Sequence, residues 1–332
     1  MTGPPTYRAV VCETLGPIDR LQLRDLPRTP LVPGKVRVAL KAAGINFPDI
    51  LTIQGLYQHK PDVPFVPGIE AAGVISEVAA DVAGLRVGER VIVRMRTGGY
   101  AEEAVVPAAQ TRPLPESFSF AEGATFLVAH MTAYHGLVTR GGISPGRTLL
   151  VPGAAGGVGL AAVQLGKVLG ARVLAAASSA EKLQIATRHG ADAAIDYTRE
   201  PVEDGVKRLT AGRGVDMVLD PVGIAQESAL RCLAHGGKLL IAGFAGGGMP
   251  AYAANRILLK GASVIGVRAG EAGRQDPAMR RREFEAVLAF GAGGQLRPHV
   301  SARFTLEDFA AAMRTLQHRQ AIGRVVLTIA AH

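Results

Sequence analysis

Apolar and polar residues alternate in short runs over roughly the first 110 positions, and Gly and Pro cut the runs apart. Lys35-Val-Arg-Val-Ala-Leu-Lys41, Ala72-Gly-Val-Ile-Ser-Glu-Val78, Arg90-Val-Ile-Val-Arg94 and Ala101-Glu-Glu-Ala-Val-Val106 are examples, punctuated by Pro33-Gly34, Pro67-Gly68 and Gly98-Gly99. A period of two between turn residues predicts strands, here in a mostly antiparallel, barrel-like domain. Beyond about residue 125 the rhythm changes. Thr148-Leu-Leu-Val151 reads as a buried strand, followed by a glycine turn and a helical stretch over 158–169. Ala171–Ala177, a helix over 180–189, Ala193–Asp196, Val215–Asp220, Gly237–Ala242 and Ala262–Gly266 follow in the same alternation. Six apolar strands, each reached through a helical segment, predict βαβ crossovers and a doubly wound parallel sheet. The tail from about Arg268 carries an amphipathic helix near 306–316 and a last strand, Gly323–Ile329, which suits the first domain better. The parallel-sheet domain is therefore expected to be inserted between two pieces of the other.

A length of 332 residues suits two such domains at roughly 100–200 residues each. Hydrophobic residues make up 48% and charged residues 20%, enough to build a large core, which excludes intrinsic disorder. Cys12 and Cys232 are the only cysteines, so neither a disulfide scaffold nor a cysteine-rich zinc site is available. No uncharged apolar stretch reaches the ~18 residues needed to cross a bilayer. The opening Met1–Arg8 lacks the apolar segment of a signal peptide, so the expected location is cytoplasmic. The net charge of +9 is spread along the chain. Its one tight run, Arg280-Arg281-Arg282 before Glu283-Phe284-Glu285, is expected to be a solvated helix face. Few aromatics and no Trp argue against a nucleic-acid platform.

The strongest chemical signal is Val151-Pro-Gly153-Ala154-Ala-Gly156-Gly157-Val-Gly159-Leu160. A glycine turn between a strand and a helix is a dinucleotide fingerprint. Gly156 and Gly157 admit backbone N–H groups, with those of Ala155 and Val158, close to a pyrophosphate. Gly159 permits tight helix–strand packing, and the helix N-terminus supplies partial positive charge. Ala154 stands where the fingerprint usually has its first glycine, so the match is a variant. NAD sites place an acid at the end of the second strand. Here that strand ends Ala175-Ala176-Ala177-Ser178-Ser179, with Lys182 a helical turn on and no acid before Glu181. Arg188 or Tyr197 also come within reach of such a pocket. The selection points to NADPH, although Ser178-Ser179-Ala-Glu181-Lys182 reads equally as a helix N-cap.

Further motifs carry a resemblance. Ala42-Ala-Gly-Ile-Asn46-Phe-Pro-Asp49, Pro67-Gly-Ile-Glu70-Ala-Ala-Gly73, Val87-Gly-Glu-Arg90, Gly98-Gly-Tyr100-Ala-Glu102 and Leu258-Leu-Lys-Gly261-Ala join the Gly153–Gly159 turn. Together they resemble the medium-chain dehydrogenase/reductase superfamily over nearly the whole chain, most closely its zinc-independent quinone oxidoreductase (ζ-crystallin-like) branch. The resemblance implies a GroES-like β-barrel catalytic domain in two pieces, 1–127 and 268–332, around a Rossmann NADPH-binding domain, 128–267. Zinc members hold their metal with Cys and His where this chain has Asn46 and Ile69, and they add a four-cysteine lobe that is missing between Arg94 and Tyr100. Amide and aliphatic side chains do not replace thiolate and imidazole at tetrahedral zinc, so no metal is expected.

Without a metal to stabilise an alkoxide, an acceptor that is already electron-poor is expected. The resemblance implies that Asn46, Asp49 and Tyr57 line the nicotinamide cleft, and that Thr132, Phe244, Asn255 and Arg324 lie at or near the cofactor. Asn46 and Tyr57 are candidate electrostatic or proton-supplying partners. Each has a plainer role open to it, Asn46 as the brace of a turn before Pro48 and Tyr57 as a loop anchor. His130 and His135 read as helix or pocket-wall residues. The leading function is an NADPH-dependent quinone reductase working on a small molecule. An enone or enoyl-thioester reductase is the alternative enzyme, and an NADPH-binding protein with a structural or RNA-binding role is the alternative outside catalysis. The resemblance further implies a homodimer paired through the last strand of the parallel sheet, 262–267.

Overall fold

Two antiparallel strands, β1 (Thr6–Val11) and β2 (Gln22–Pro27), pair from Thr6 opposite Pro27 to Val11 opposite Gln22. They belong to a computed structural model that describes residues 5–223 and 228–330; Met1–Pro4 of the opening segment lie outside it. Next come β3 (Lys35–Gly44), α1 (Phe47–Ile53), β4 (Glu70–Val78), β5 (Arg90–Arg94), β6 (Glu103–Pro107), β7 (Thr111–Pro113) and α2 (Phe120–Tyr134). β3 pairs antiparallel with both β4 and β6. The alternating runs read from the sequence do what a period of two requires, turning Val36, Val38, Leu40, Ile75, Val91 and Val93 into one core.

α2 passes into a π-helical turn, His135–Arg140. The parallel sheet follows as β8 (Thr148–Pro152), α3 (Gly157–Val168), β9 (Arg172–Ala177), α4 (Ala180–Arg188), β10 (Ala193–Asp196), α5 (Val202–Leu209), β11 (Val215–Asp220), α6 (Ser228–Cys232), β12 (Leu233–Ile241), α7 (Ala254–Lys260) and β13 (Ser263–Gly266). Its strand order is β10-β9-β8-β11-β12-β13, with every pair parallel. That is the 3-2-1-4-5-6 order of a Rossmann sheet. The central strand β8 is buried along its whole length, as a strand covered on both faces must be. All six strands were legible as apolar runs. Cys12 and Cys232 are buried and unbridged, and burial pushes the Cys232 thiol up to about 12.

The chain then adds α8 (Ala269–Gln275), α9 (Pro277–Ala292), β14 (Val300–Thr305), α10 (Phe309–Gln317) and β15 (Arg324–Thr328). β15 pairs antiparallel with β3 and parallel with β14, completing a seven-stranded mixed sheet. Met1–Leu127 and His299–His332 form one compact unit, and Val128–Pro298 forms the other.

Two expectations differ from this architecture. Residues 268–298 group with the parallel-sheet unit, whereas the sequence reading placed everything after 267 in the first domain. The reason is visible in α9, where Glu283 accepts from the Thr139 hydroxyl and bonds His135 Nδ1 at 2.8 Å, tying the helix to the π-helical turn. The Arg280–Glu285 run is likewise no uniform solvated face, because Glu283 and Phe284 are buried while Arg281, Arg282 and Glu285 are exposed. A charged residue masked the inward stripe of the helix.

Candidate functional site

The site residues fall into two groups, one in each unit. In the parallel-sheet unit, β8 ends in a turn whose geometry is that of the fingerprint. Gly153 is left-handed at φ 59, and a Cβ added to Gly159 would stand 2.2 Å from the Gly153 carbonyl oxygen, so only glycine lets the helix close on the strand. α3 begins after Gly156 with no capping side chain. The amides of Gly157, Val158 and Gly159 precede the first possible intrahelical acceptor, so they face outward with the positive end of the helix dipole. Such a turn fits a pyrophosphate. The Gly157 and Val158 amides thus have no intrahelical acceptor, whereas the Gly156 N–H donates to the Gly153 carbonyl at 2.9 Å.

At the end of β9, Ser179 caps α4 by accepting from the Lys182 N–H, so the N-cap reading holds for that residue. Lys182 Nζ lies 3.4 Å from Ser178 Oγ, and the Tyr197 N–H donates to the Ala177 carbonyl, which brings Tyr197 beside the same strand end. A cation and a hydroxyl thus lie together just past the end of β9, and Tyr197, with its side chain exposed, follows Asp196 on the neighbouring strand. The other members of this group are scattered. Thr132 spends its hydroxyl on the Val128 carbonyl in α2, Phe244 is exposed after β12, and Asn255 is exposed on α7. His130 and His135 are both buried, on α2 and the π-helical turn.

In the unit built on β3, the geometry is denser. Asn46 is the N-cap of α1, and its N–H donates to Oδ2 of Asp49 at 2.8 Å. The side-chain amide is also committed: Nδ2 donates to Glu70 Oε1 at 3.1 Å and to the Gly44 carbonyl at 3.3 Å, while Oδ1 accepts from Arg324 Nη2 at 2.8 Å. Arg324 forms an ion pair with the same Glu70 oxygen. The Tyr100 hydroxyl donates to Asp49 Oδ2 at 2.7 Å. All five side chains are buried. Burial pushes the Asp49 carboxyl from its ordinary 3.8 up to about 7, against the pull of the Tyr100 and Asn46 donors. Burial, then the neighbouring Asp49 charge, holds the Tyr100 phenol well above its usual value.

The structure therefore brings Asn46, Asp49 and Arg324 into one polar cluster. None of the bonds described for it goes to Tyr57, which is half-buried after α1. Glu70 and Tyr100 were not singled out as site residues. The signal available was their place in two quoted motifs, Pro67–Gly73 and Gly98–Glu102. Gly68 explains why those motifs travel together: at φ 100 it has no side chain, and a Cβ there would meet the Tyr100 ring at 2.6 Å.

Comparison with known proteins bears on the whole arrangement. Residues 32–116 match the alcohol dehydrogenase GroES-like domain, and residues 157–292 match the family described as zinc-binding dehydrogenase. The quinone oxidoreductase-like protein 2 homolog of Nematostella vectensis is 40% identical over 98% of this chain and 90% of its own length. A probable oxidoreductase from Mycobacterium abscessus superposes with a TM-score of 0.89 at 35% identity, covering 98% of this chain and 100% of that one. Escherichia coli quinone oxidoreductase complexed with NADPH gives 0.89 at 28% identity, over 97% and 99%. The chain belongs to the medium-chain dehydrogenase/reductase superfamily, in its zinc-independent quinone oxidoreductase-like branch. It is an oxidoreductase of that family.

The second family description implies zinc, and the residues present do not fit it. Asn46 has its amide committed on both sides, Ile69 offers no donor, and the Glu70 carboxylate is already neutralised by Arg324. Among the described residues, no group of three or more His, Cys, Asp or Glu is placed to hold a metal ion. No helix there is long and apolar enough to cross a membrane.

Proposed function

We propose that this protein is an NADPH-dependent, zinc-independent reductase that delivers hydride to quinones or similar electrophilic carbonyl compounds. The observation that supports the reading is the end of β9, whose own residues Ala177–Ser179 include no acid and where Lys182 Nζ lies 3.4 Å from Ser178 Oγ. Ala155, Gly156, Gly157 and Val158 would hold the pyrophosphate, and Ser178, Ser179 and Lys182 the 2′-phosphate. A bound nicotinamide supplies the hydride. Asn46, Asp49 and Tyr57 are assigned to the reacting end, with Thr132, Phe244, Asn255 and Arg324 as further cofactor-side residues. Solved relatives complexed with NADPH support the same cofactor.

Such an enzyme takes a small-molecule acceptor, works in the cytoplasm and acts as a homodimer. For the last point, β13 is the edge strand of its sheet, and Leu258 and Leu259 stand exposed beside it on α7. An apolar, uncovered edge invites pairing with a second copy. The deciding experiment is steady-state turnover with NADPH and, separately, NADH, against 1,4-benzoquinone, 9,10-phenanthrenequinone, 2-alkenals and crotonyl-CoA. Quinone turnover should dominate. Exclusive turnover of crotonyl-CoA or the alkenals would transfer the activity to double-bond reduction, and no turnover of any acceptor would end the reading.

A further inference from the structure

The Asp49 carboxyl is held asymmetrically. Oδ2 accepts from both the Tyr100 hydroxyl and the Asn46 N–H, while Oδ1, equally buried, has no hydrogen-bond partner. Donors on one oxygen hold negative charge there, so a proton taken up by the group resides on the other. The groups facing Asp49 come from four directions: Asn46 at the start of its own helix, Tyr100 between β5 and β6, Glu70 on β4 and Arg324 on β15. The Glu70 charge favours proton retention and the Arg324 charge opposes it. Tyr100 cannot swing away, since its ring lies against Gly68 and is wholly buried.

We propose that Tyr100 is a positioning residue for the reaction, fixing Asp49 so that Oδ1 alone carries the exchangeable proton, and that this carboxyl is the proton store for reduction. The assignment rests on the functional reading above. Reduction of a quinone to the hydroquinone adds one hydride, with its two electrons, and one proton in total. The carboxyl O–H bond breaks as the acceptor O–H bond forms, directly or through one water. The carboxylate stays on the Tyr100 and Asn46 donors until a solvent proton refills Oδ1. Tyr57 makes no bond to this carboxyl, so it is not the residue that sets the proton's position.

Tyr100→Phe removes one hydroxyl and keeps the ring. Infrared difference spectroscopy against pH, on the purified protein without acceptor, reads the protonated carboxyl band, assigned to Asp49 by its loss in Asp49→Asn. The band's midpoint should move up by about one pH unit in Tyr100→Phe, because the hydroxyl favours the charged form. The alkaline limb of kcat should move in step and its plateau should fall about tenfold, with KM for NADPH unchanged. An unmoved midpoint would overturn the pairing. A moved midpoint with an unmoved kcat limb and plateau would reduce Tyr100 to a fold element and end the kinetic role. If Tyr100→Phe does not fold, Asp49→Asn takes its place: it should keep NADPH binding, lose the alkaline limb and cut kcat at least a hundredfold, and an unchanged kcat there overturns the proposal. Wild-type protein with no reductase activity would fail the functional reading instead, a result distinct from the infrared one.

Discussion

Arg324 and Glu70 form a buried ion pair across 254 residues of sequence, and both side chains also bond the Asn46 amide. Removing one partner of such a pair leaves an uncompensated charge in the core, at about 3–5 kcal/mol. Glu70→Gln should therefore lower the denaturant midpoint strongly. The double variant Glu70→Gln with Arg324→Met should be less destabilised than the sum of the two single changes. Additive losses in chemical denaturation would show the pair to be uncoupled.

Asp49 makes stability depend on pH with a definite sign. Its folded value, about 7, lies above the ordinary 3.8, so the native state binds more protons than the unfolded chain between those limits. Stability then falls as pH rises through that window, by at most about 4 kcal/mol from this group. Asp49→Asn should flatten the decline between pH 4 and 8 relative to wild type. Parallel stability curves for the two proteins would refute the assignment.

Cofactor choice rests on Lys182 and Ser178. Lys182→Ala should raise KM for NADPH roughly 10- to 100-fold, the equivalent of losing a charge-assisted contact of about 1.5–3 kcal/mol, and leave NADH nearly unchanged. Equal Michaelis constants for the two cofactors in the wild type would remove the basis for the expectation.

Metal content is a separate test. With the amide of Asn46 and the carboxylate of Glu70 committed to protein partners, EDTA dialysis should cost no activity, and elemental analysis should find less than stoichiometric zinc. One tightly held zinc per chain, with activity lost on its removal, contradicts the donor chemistry.

For assembly, light scattering should give twice the 34.6 kDa chain mass at micromolar concentration. Val264 on β13 packs partly against the core of its sheet, so a charge there would also strain the fold. Leu258→Glu with Leu259→Glu tests the interface more cleanly, because both side chains are exposed in the single chain. A monomeric wild type ends the dimer, and a double variant that stays dimeric moves the interface elsewhere.

Much of this was legible beforehand. β8, β9 and β11 announced themselves because buried parallel strands are nearly continuous apolar runs, and Gly159 because only glycine tolerates that approach to Gly153. The buried cluster was harder to see. Glu70 and Arg324 are ordinary surface residue types by composition, and no local pattern says that a strand 254 residues later in the chain will bring them together. Asn46 was visible as a motif residue, but its amide's commitment to Glu70 and Arg324 is a property of three separate strands and turns. Glu283 failed for the opposite reason: a charge flanked by charges reads as solvated, and burial against His135 and Thr139 is invisible to periodicity.

The pairing of β15 with β3 also bears on how the protein is made. β3, α1 and β4 leave the ribosome early, carrying Asn46, Asp49 and Glu70, while β15 with Arg324 follows only after all of residues 128–298. Until then the Glu70 carboxylate lacks the Arg324 guanidinium. The first sheet must wait without its last strand while a whole second unit is synthesised and free to fold. Closure of the polar cluster is therefore a late event of biosynthesis, and nascent chains stalled before residue 324 should hold a native-like nucleotide fold beside an unfinished barrel.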